Sequence, residues 1–333
     1  MRTNHSGPKR RRWPIVLLAV VAVVSTSGLV LLLATGGPAV GHFRSPDARD
    51  DYADAYAEAL DRLPEPTETH DVETTFGTVR AYAWVAEEQP AATPVVLLPG
   101  RSAATPMWGD NLPHYIEHRT VYAFDTLGDT GLSEQTIPMR DVGDAARWVD
   151  EAMAGLDIER AHLVGHSQGG GLAAAVAVRH PDRLASLTLL EPVLTLGSLP
   201  LSTVLASIPL SMPFLPESWR EAALNEIGGV EDEEVDPDDP LARMIDVGAE
   251  SYNSSGLPNP VQLTDTELKG LPMPAYVAIA SDSSLAGGEA AADKAKLIPD
   301  ARVKIWPDTT HSLPMQVAPA LDAELEAFWA AHP

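Results

Sequence analysis

The run Ala161-His162-Leu163-Val164-Gly165-His166-Ser167-Gln168-Gly169-Gly170-Gly171-Leu172-Ala173-Ala174 decides how this chain is read. Ala161–Val164 has the apolar character of a buried strand. Gly169 to His180 is a run of small residues stopped by Pro181, which reads as a helix. Between them lies Gly165-His166-Ser167-Gln168-Gly169. A strand that turns sharply into a helix at a serine holds it at strained backbone angles with its hydroxyl exposed. Glycines two residues to either side remove side chains that would collide there. The helix also aims its first N–H groups at a point where a developing oxyanion can sit. Ser167 is therefore the candidate nucleophile. The pentapeptide alone is a modest signal, because glycine and serine are common; the strand before it and the helix after it give it weight.

Outward from this turn, strands alternate with helices. Val72–Phe76 and Val79–Val85 form a hairpin around Gly77. Val95–Leu98 and Thr120–Phe124 are short apolar strands. Asp141 to Leu156 has helical spacing, with Asp141 as N-cap. Leu187–Leu190 and Ala275–Ala280 are strands, Ala290–Ile298 a helix, Arg302–Trp306 a strand and Ala318–Ala331 a terminal helix. This pattern predicts an α/β fold: a mostly parallel central sheet with helices on both faces. Its core comprises residues 72–194 and 271–333. Residues 195–270, rich in proline and carrying the acidic run Glu231–Asp239, interrupt the pattern as an insertion.

The chain resembles the α/β-hydrolase superfamily from about Val72 to its C-terminus. Leu97-Leu98-Pro99-Gly100-Arg101, followed by Trp108, is similar to the family's oxyanion turn, with Pro99 where relatives usually have His. The hole uses backbone N–H groups, so the resemblance implies Arg101 and Gln168 as donors. Gly100 and His166 would line the substrate. Asp125-Thr126-Leu127-Gly128-Asp129-Thr130-Gly131-Leu132-Ser133 is similar to the family's Asp-x-x-Gly-x-x-x-Ser loop. His311, after the last strand, is similar to the catalytic His. A serine hydroxyl needs such a base near neutral pH, and an acid must orient that base. The family places the acid after the strand before the final βα unit, which points to Asp282, one residue earlier than in most relatives. Glu191, ending the Leu187–Leu190 strand, is the alternative acid, and Glu289 a third.

The resemblance implies acyl transfer to water without metal or organic cofactor, with a helical cap formed by the insertion. The apolar residues Leu196, Leu199, Leu201, Val204, Leu205 and Ile208 favour a small-molecule carboxylic ester with an apolar acyl or alcohol group, or else pack the cap onto the core. A proline-iminopeptidase-like peptidase or a lactonase would use the same triad. A non-catalytic, membrane-tethered ligand-binding homologue is the reading outside enzymes. A halide-releasing relative would need Asp at position 167.

Composition narrows the partners. The 333 residues carry a net charge of −24. Five of the 23 basic residues lie within the first twelve positions, so the rest of the chain sets 18 against all 47 acidic residues. Such a surface repels phosphate backbones, which argues against nucleic acid. The absence of cysteine excludes disulfides and thiolate chemistry. At the N-terminus, residues 1–14 form a basic segment ending in Lys9-Arg10-Arg11-Arg12-Trp13-Pro14. Residues 15–34 follow without a charge. Twenty residues at about 1.5 Å each span a bilayer's hydrocarbon core. The basic flank predicts one N-terminal transmembrane helix with the catalytic domain outside the cytoplasm, or a secreted product if the segment is cleaved as a signal. Residues 35–71 then read as a linker containing a polar helix.

Overall fold

A computed structural model describes residues 39–86, 92–199, 239–282 and 284–333. The predicted membrane segment 15–34 and most of the insertion lie outside the described residues. Among the described residues no helix is long and apolar enough to cross a membrane.

Among the described residues, eleven strands run in chain order: β1 His42–Phe43, β2 Glu68–Thr74, β3 Gly77–Trp84, β4 Val95–Leu98, β5 Val121–Phe124, β6 Glu134–Gln135, β7 Ala161–His166, β8 Leu184–Leu190, β9 Tyr252–Asn253, β10 Ala275–Ala280 and β11 Ala301–Trp306. β1 pairs with β9. The others build one sheet in the order β11-β10-β8-β7-β4-β5-β3-β2, with β6 beside β3. From β11 to β5 every pairing is parallel; β3 joins β5, and β2 joins β3, antiparallel.

The all-apolar strands follow from burial on both faces. Along β4, Val96 and Leu98 enter one core cluster and Val95 and Leu97 the other. Helices Val142–Gly155, Gln168–Arg179 and Gly288–Ala295 cover the first face. Helices Pro46–Leu60, Leu112–Tyr115 and Ala318–Ala330 cover the second. Asp141 caps its helix as expected, accepting the N–H groups of Gly143 at 2.7 Å and Asp144 at 3.1 Å. The described part of the insertion contains helices Pro240–Ser251 and Asp265–Lys269.

The region 35–71 is not merely a linker. Tyr52, Ala55, Tyr56 and Ala59 form a buried stripe at helical spacing on Pro46–Leu60. The Tyr56 hydroxyl donates to the buried carboxylate of Asp125 at 3.0 Å. The helix reads as polar because alanine and aspartate dominate it; two tyrosines one turn apart dock it. Strand β2 also begins inside this region, at Glu68.

The terminal helix buries a carboxylate as well. Asp322, 1 % exposed, accepts a hydrogen bond from Asn111 Nδ2 at 2.9 Å. Burial pushes its carboxyl from about 3.8 up to about 7. The folded state therefore holds a proton that the unfolded state releases, and the associated stability is lost as pH rises through 7. Asp322→Asn keeps the acceptor and removes that penalty. At pH 8.5 the variant should melt roughly 5 °C higher than the wild type, with the gap closing near pH 4. Equal shifts at both pH values in thermal melts would refute the assignment.

Candidate active site

Ser167 sits at φ 53°, ψ −117° between β7 and the helix Gln168–Arg179. The flanking glycines are required by close approach. A Cβ on Gly165 would strike the Gly169 carbonyl, and one on Gly169 would strike the carbonyls of Leu98 and Pro99 at the end of β4. The elbow is folded onto its own helix and its neighbouring strand.

His311, on the loop after β11, places Nε2 2.9 Å from Ser167 Oγ. Its Nδ1 lies 3.2 Å from Glu191 Oε2. The carboxylate brought to His311 is thus Glu191 and not Asp282. The sheet register explains why. Leu190, last in β8, pairs with His166 of β7 on one side and Ala278 of β10 on the other. The next residue therefore lies between the elbow and the turn after β10. Glu191 adopts φ 47° and is fully buried.

Donors surround the Glu191 carboxylate. Ala280 N–H at 2.7 Å and Ser284 Oγ at 2.8 Å meet Oε1, while Leu285 N–H at 2.9 Å and Ala286 N–H at 3.3 Å meet Oε2. These bonds offset the cost of burying a charge. Asp282 lies on the turn that supplies them, but its side chain is exposed. Its carboxylate accepts from its neighbour Ser281 at 3.1 Å, and its backbone N–H donates to the Thr309 carbonyl at 2.8 Å. Glu289, in the first turn of the helix Gly288–Ala295, is exposed.

The turn after β4 approaches the elbow closely. A Cβ on Gly100 would lie 2.9 Å from His166 Nδ1 and 3.4 Å from the Ser167 Cβ. Several of the turn's N–H groups are engaged. Gly100 donates to Met107 Sδ at 3.1 Å, Ser102 to Asp129 Oδ2 at 2.8 Å, Ala103 to the Gly100 carbonyl at 3.3 Å, and Thr105 to Asp125 Oδ1 at 2.9 Å. Neither the Arg101 nor the Gln168 N–H has an acceptor among the described residues.

His166, expected to line the substrate, is buried, and its ring packs 4.9 Å from that of His311. Burial, with a smaller contribution from neighbouring His311, lowers its pKa to about 3. The neutral ring donates from Nε2 to the His311 carbonyl at 2.9 Å, which leaves Nδ1 as the unprotonated nitrogen facing Gly100. The bond ties the ring to the His311 loop.

A family profile described as the alpha/beta hydrolase fold matches residues 93–226. The carboxylesterase YbfK of Bacillus subtilis is 24 % identical over 277 residues, covering 79 % of this chain and 88 % of that protein. The crystal structure of the same B. subtilis carboxylesterase, CesB (YbfK), superposes with a TM-score of 0.76 at 23 % identity over 85 % of this chain and 98 % of that one. Naproxen esterase (carboxylesterase NP), also of B. subtilis, superposes with a TM-score of 0.77 at 22 % identity, covering 86 % and 99 %.

Proposed function

We propose that this chain is an α/β-hydrolase-type serine hydrolase that cleaves carboxylic esters through Ser167, His311 and Glu191. The observation that carries the reading is the continuous line from Ser167 Oγ to His311 Nε2 at 2.9 Å and from His311 Nδ1 to Glu191 at 3.2 Å. The carboxylesterase relatives support ester bonds as the substrate class.

The chemistry follows from these distances. Ser167 Oγ attacks the ester carbonyl as its proton passes to His311 Nε2. The carbonyl oxygen, now anionic, takes hydrogen bonds from the N–H groups of Arg101 and Gln168. Glu191 accepts the Nδ1 proton bond and stabilises the imidazolium without taking the proton. The imidazolium then protonates the departing alkoxide, leaving Ser167 acylated. His311 next deprotonates water, which attacks the acyl carbon, and the acid leaves as Ser167 regains its proton. The apolar residues at the start of the insertion favour an apolar acyl or alcohol group. Leu196, the first of them, packs into the core.

Labelling by a fluorophosphonate probe and turnover of nitrophenyl esters test this reading, with Ser167→Ala as the control. Folded wild-type protein that neither labels nor turns over would overturn it.

The basic residues before the charge-free segment 15–34 support a membrane anchor with the hydrolase unit outside the cytoplasm. Full-length chain should stay with the membrane fraction after an alkaline carbonate wash. Release of the intact chain would exclude the anchor.

A further inference from the structure

The oxyanion turn is strained at two non-glycine residues, with φ 60° at Ser102 and 47° at Ala104. Such a backbone persists only when its surroundings hold it. Two buried aspartates from the loop after β5 do so. Asp125 takes the N–H and the hydroxyl of Thr105, at 2.9 and 2.7 Å. Asp129, 1 % exposed, takes the Ser102 N–H on Oδ2 at 2.8 Å.

The second Asp129 oxygen reaches elsewhere. Its Oδ1 accepts the Ser254 hydroxyl at 3.0 Å, from the described part of the insertion. Four residues further on, the Pro258 carbonyl accepts the Gln168 side chain at 2.9 Å. One short segment, Ser254–Pro258, thus touches both Asp129, which holds Ser102 beside Arg101, and the side chain of Gln168.

We propose that Asp129 is a positioning residue of the oxyanion hole, pinning Ser102 so that the Arg101 N–H stays aimed at the substrate oxygen, and linking that aim to the segment Ser254–Pro258. The inference rests on the serine-hydrolase reading above. Asp129 has no contact with Ser167, His311 or Glu191 among its hydrogen bonds. The geometry of the pin is direct. The Gly100 carbonyl accepts from Ala103, so the N–H at the other end of that trans peptide, Arg101's, points the opposite way. The Ser102 N–H, in the next peptide, is fixed by Asp129. Release of Ser102 lets the turn relax out of the left-handed region and rotates the Arg101 N–H with it.

The effect belongs to the transition state, where the oxygen carries charge, so it should appear in kcat and not in KM. Asp129→Ala should lower kcat on a nitrophenyl ester about tenfold to a hundredfold, with KM within about threefold. The inhibition constant of an alkylboronic acid, whose serine adduct places an oxygen in the hole, should rise by a similar factor. Asp129→Asn should recover most of the loss: its Oδ1 still accepts from Ser102, and its Nδ2 donates to the Ser254 hydroxyl. Ser254→Ala should give a smaller fall in kcat of the same kind. If Asp129→Ala does not fold, Asp129→Glu, which keeps the charge but displaces it, is read the same way. A folded Asp129→Ala or Asp129→Glu with wild-type kcat and boronic acid affinity overturns the proposal. Failure of the wild type to label with a fluorophosphonate would instead remove the hydrolase reading itself, so the two failures are distinct.

Discussion

Ser167→Ala should turn over nitrophenyl esters at least about 10⁴-fold more slowly than the wild type and lose fluorophosphonate labelling entirely. The substitution removes one oxygen and, with it, the nucleophile and the 2.9 Å contact to His311 Nε2. Among the described residues no other hydrogen bond uses that oxygen. The Ser167 N–H still donates to the Leu190 carbonyl at 3.0 Å, and its carbonyl still accepts from Gly171 and Val193, both at 3.2 Å. Alanine meets the same φ of 53° as serine does. The variant should therefore fold with a melting temperature within a few degrees of wild type. The residual rate would come from the N–H groups of Arg101 and Gln168, which still bind a substrate oxygen while water attacks. Steady-state kinetics on matched, folded samples decide it. A kcat within tenfold of wild type would move the nucleophile away from Ser167.

The parts of this site visible in the sequence are those set by local physics. Val95–Leu98 and Ala275–Ala280 have the same bounds in sequence and structure, because strands buried on both faces must be apolar throughout. Ser167 is legible because the turn demands glycine at 165 and 169, and a demand of that kind leaves a spelled pattern. His311 is legible because it follows the last strand. The acid is not local. Which carboxylate meets His311 depends on β8 lying between β7 and β10, and strand order is not written in any one segment. One signal was present. Glu191 follows Leu184-Ala185-Ser186-Leu187-Thr188-Leu189-Leu190, seven buried residues, where a carboxylate entering the interior needs partners. Asp129 shows the same limit: the loop from Asp125 to Ser133 stands out as a motif, but its grip on Ser102 and Ser254 exists only once three distant segments meet.

Paired substitutions separate the two carboxylates. Glu191→Gln should lower kcat by about 10³- to 10⁴-fold, whereas Asp282→Asn should stay within about threefold of wild type. An uncharged amide beside Nδ1 neither stabilises the imidazolium nor fixes which ring nitrogen carries the proton. Glutamine is also a poor guest in this pocket. The Glu191 oxygens face the N–H groups of Ala280, Leu285 and Ala286 and the Ser284 hydroxyl, and an NH₂ group placed there opposes donors with a donor. A stability loss of about 1–3 kcal/mol should accompany the kinetic one. Glu191→Asp isolates reach from charge: it keeps the carboxylate but is one methylene shorter, so it should also lose rate by weakening the contact to His311. Asp282→Asn disturbs far less, because the side chain is exposed and among the described residues bonds only Ser281, and the backbone N–H that anchors the turn to Thr309 is retained. Kinetics must be normalised to the folded fraction by circular dichroism, since a partly unfolded Glu191→Gln would mimic a catalytic defect. If the folded Asp282→Asn lost activity to the extent of Glu191→Gln, the acid would lie on the turn after β10 after all. If Glu191→Gln kept wild-type kcat, His311 would work without a carboxylate partner.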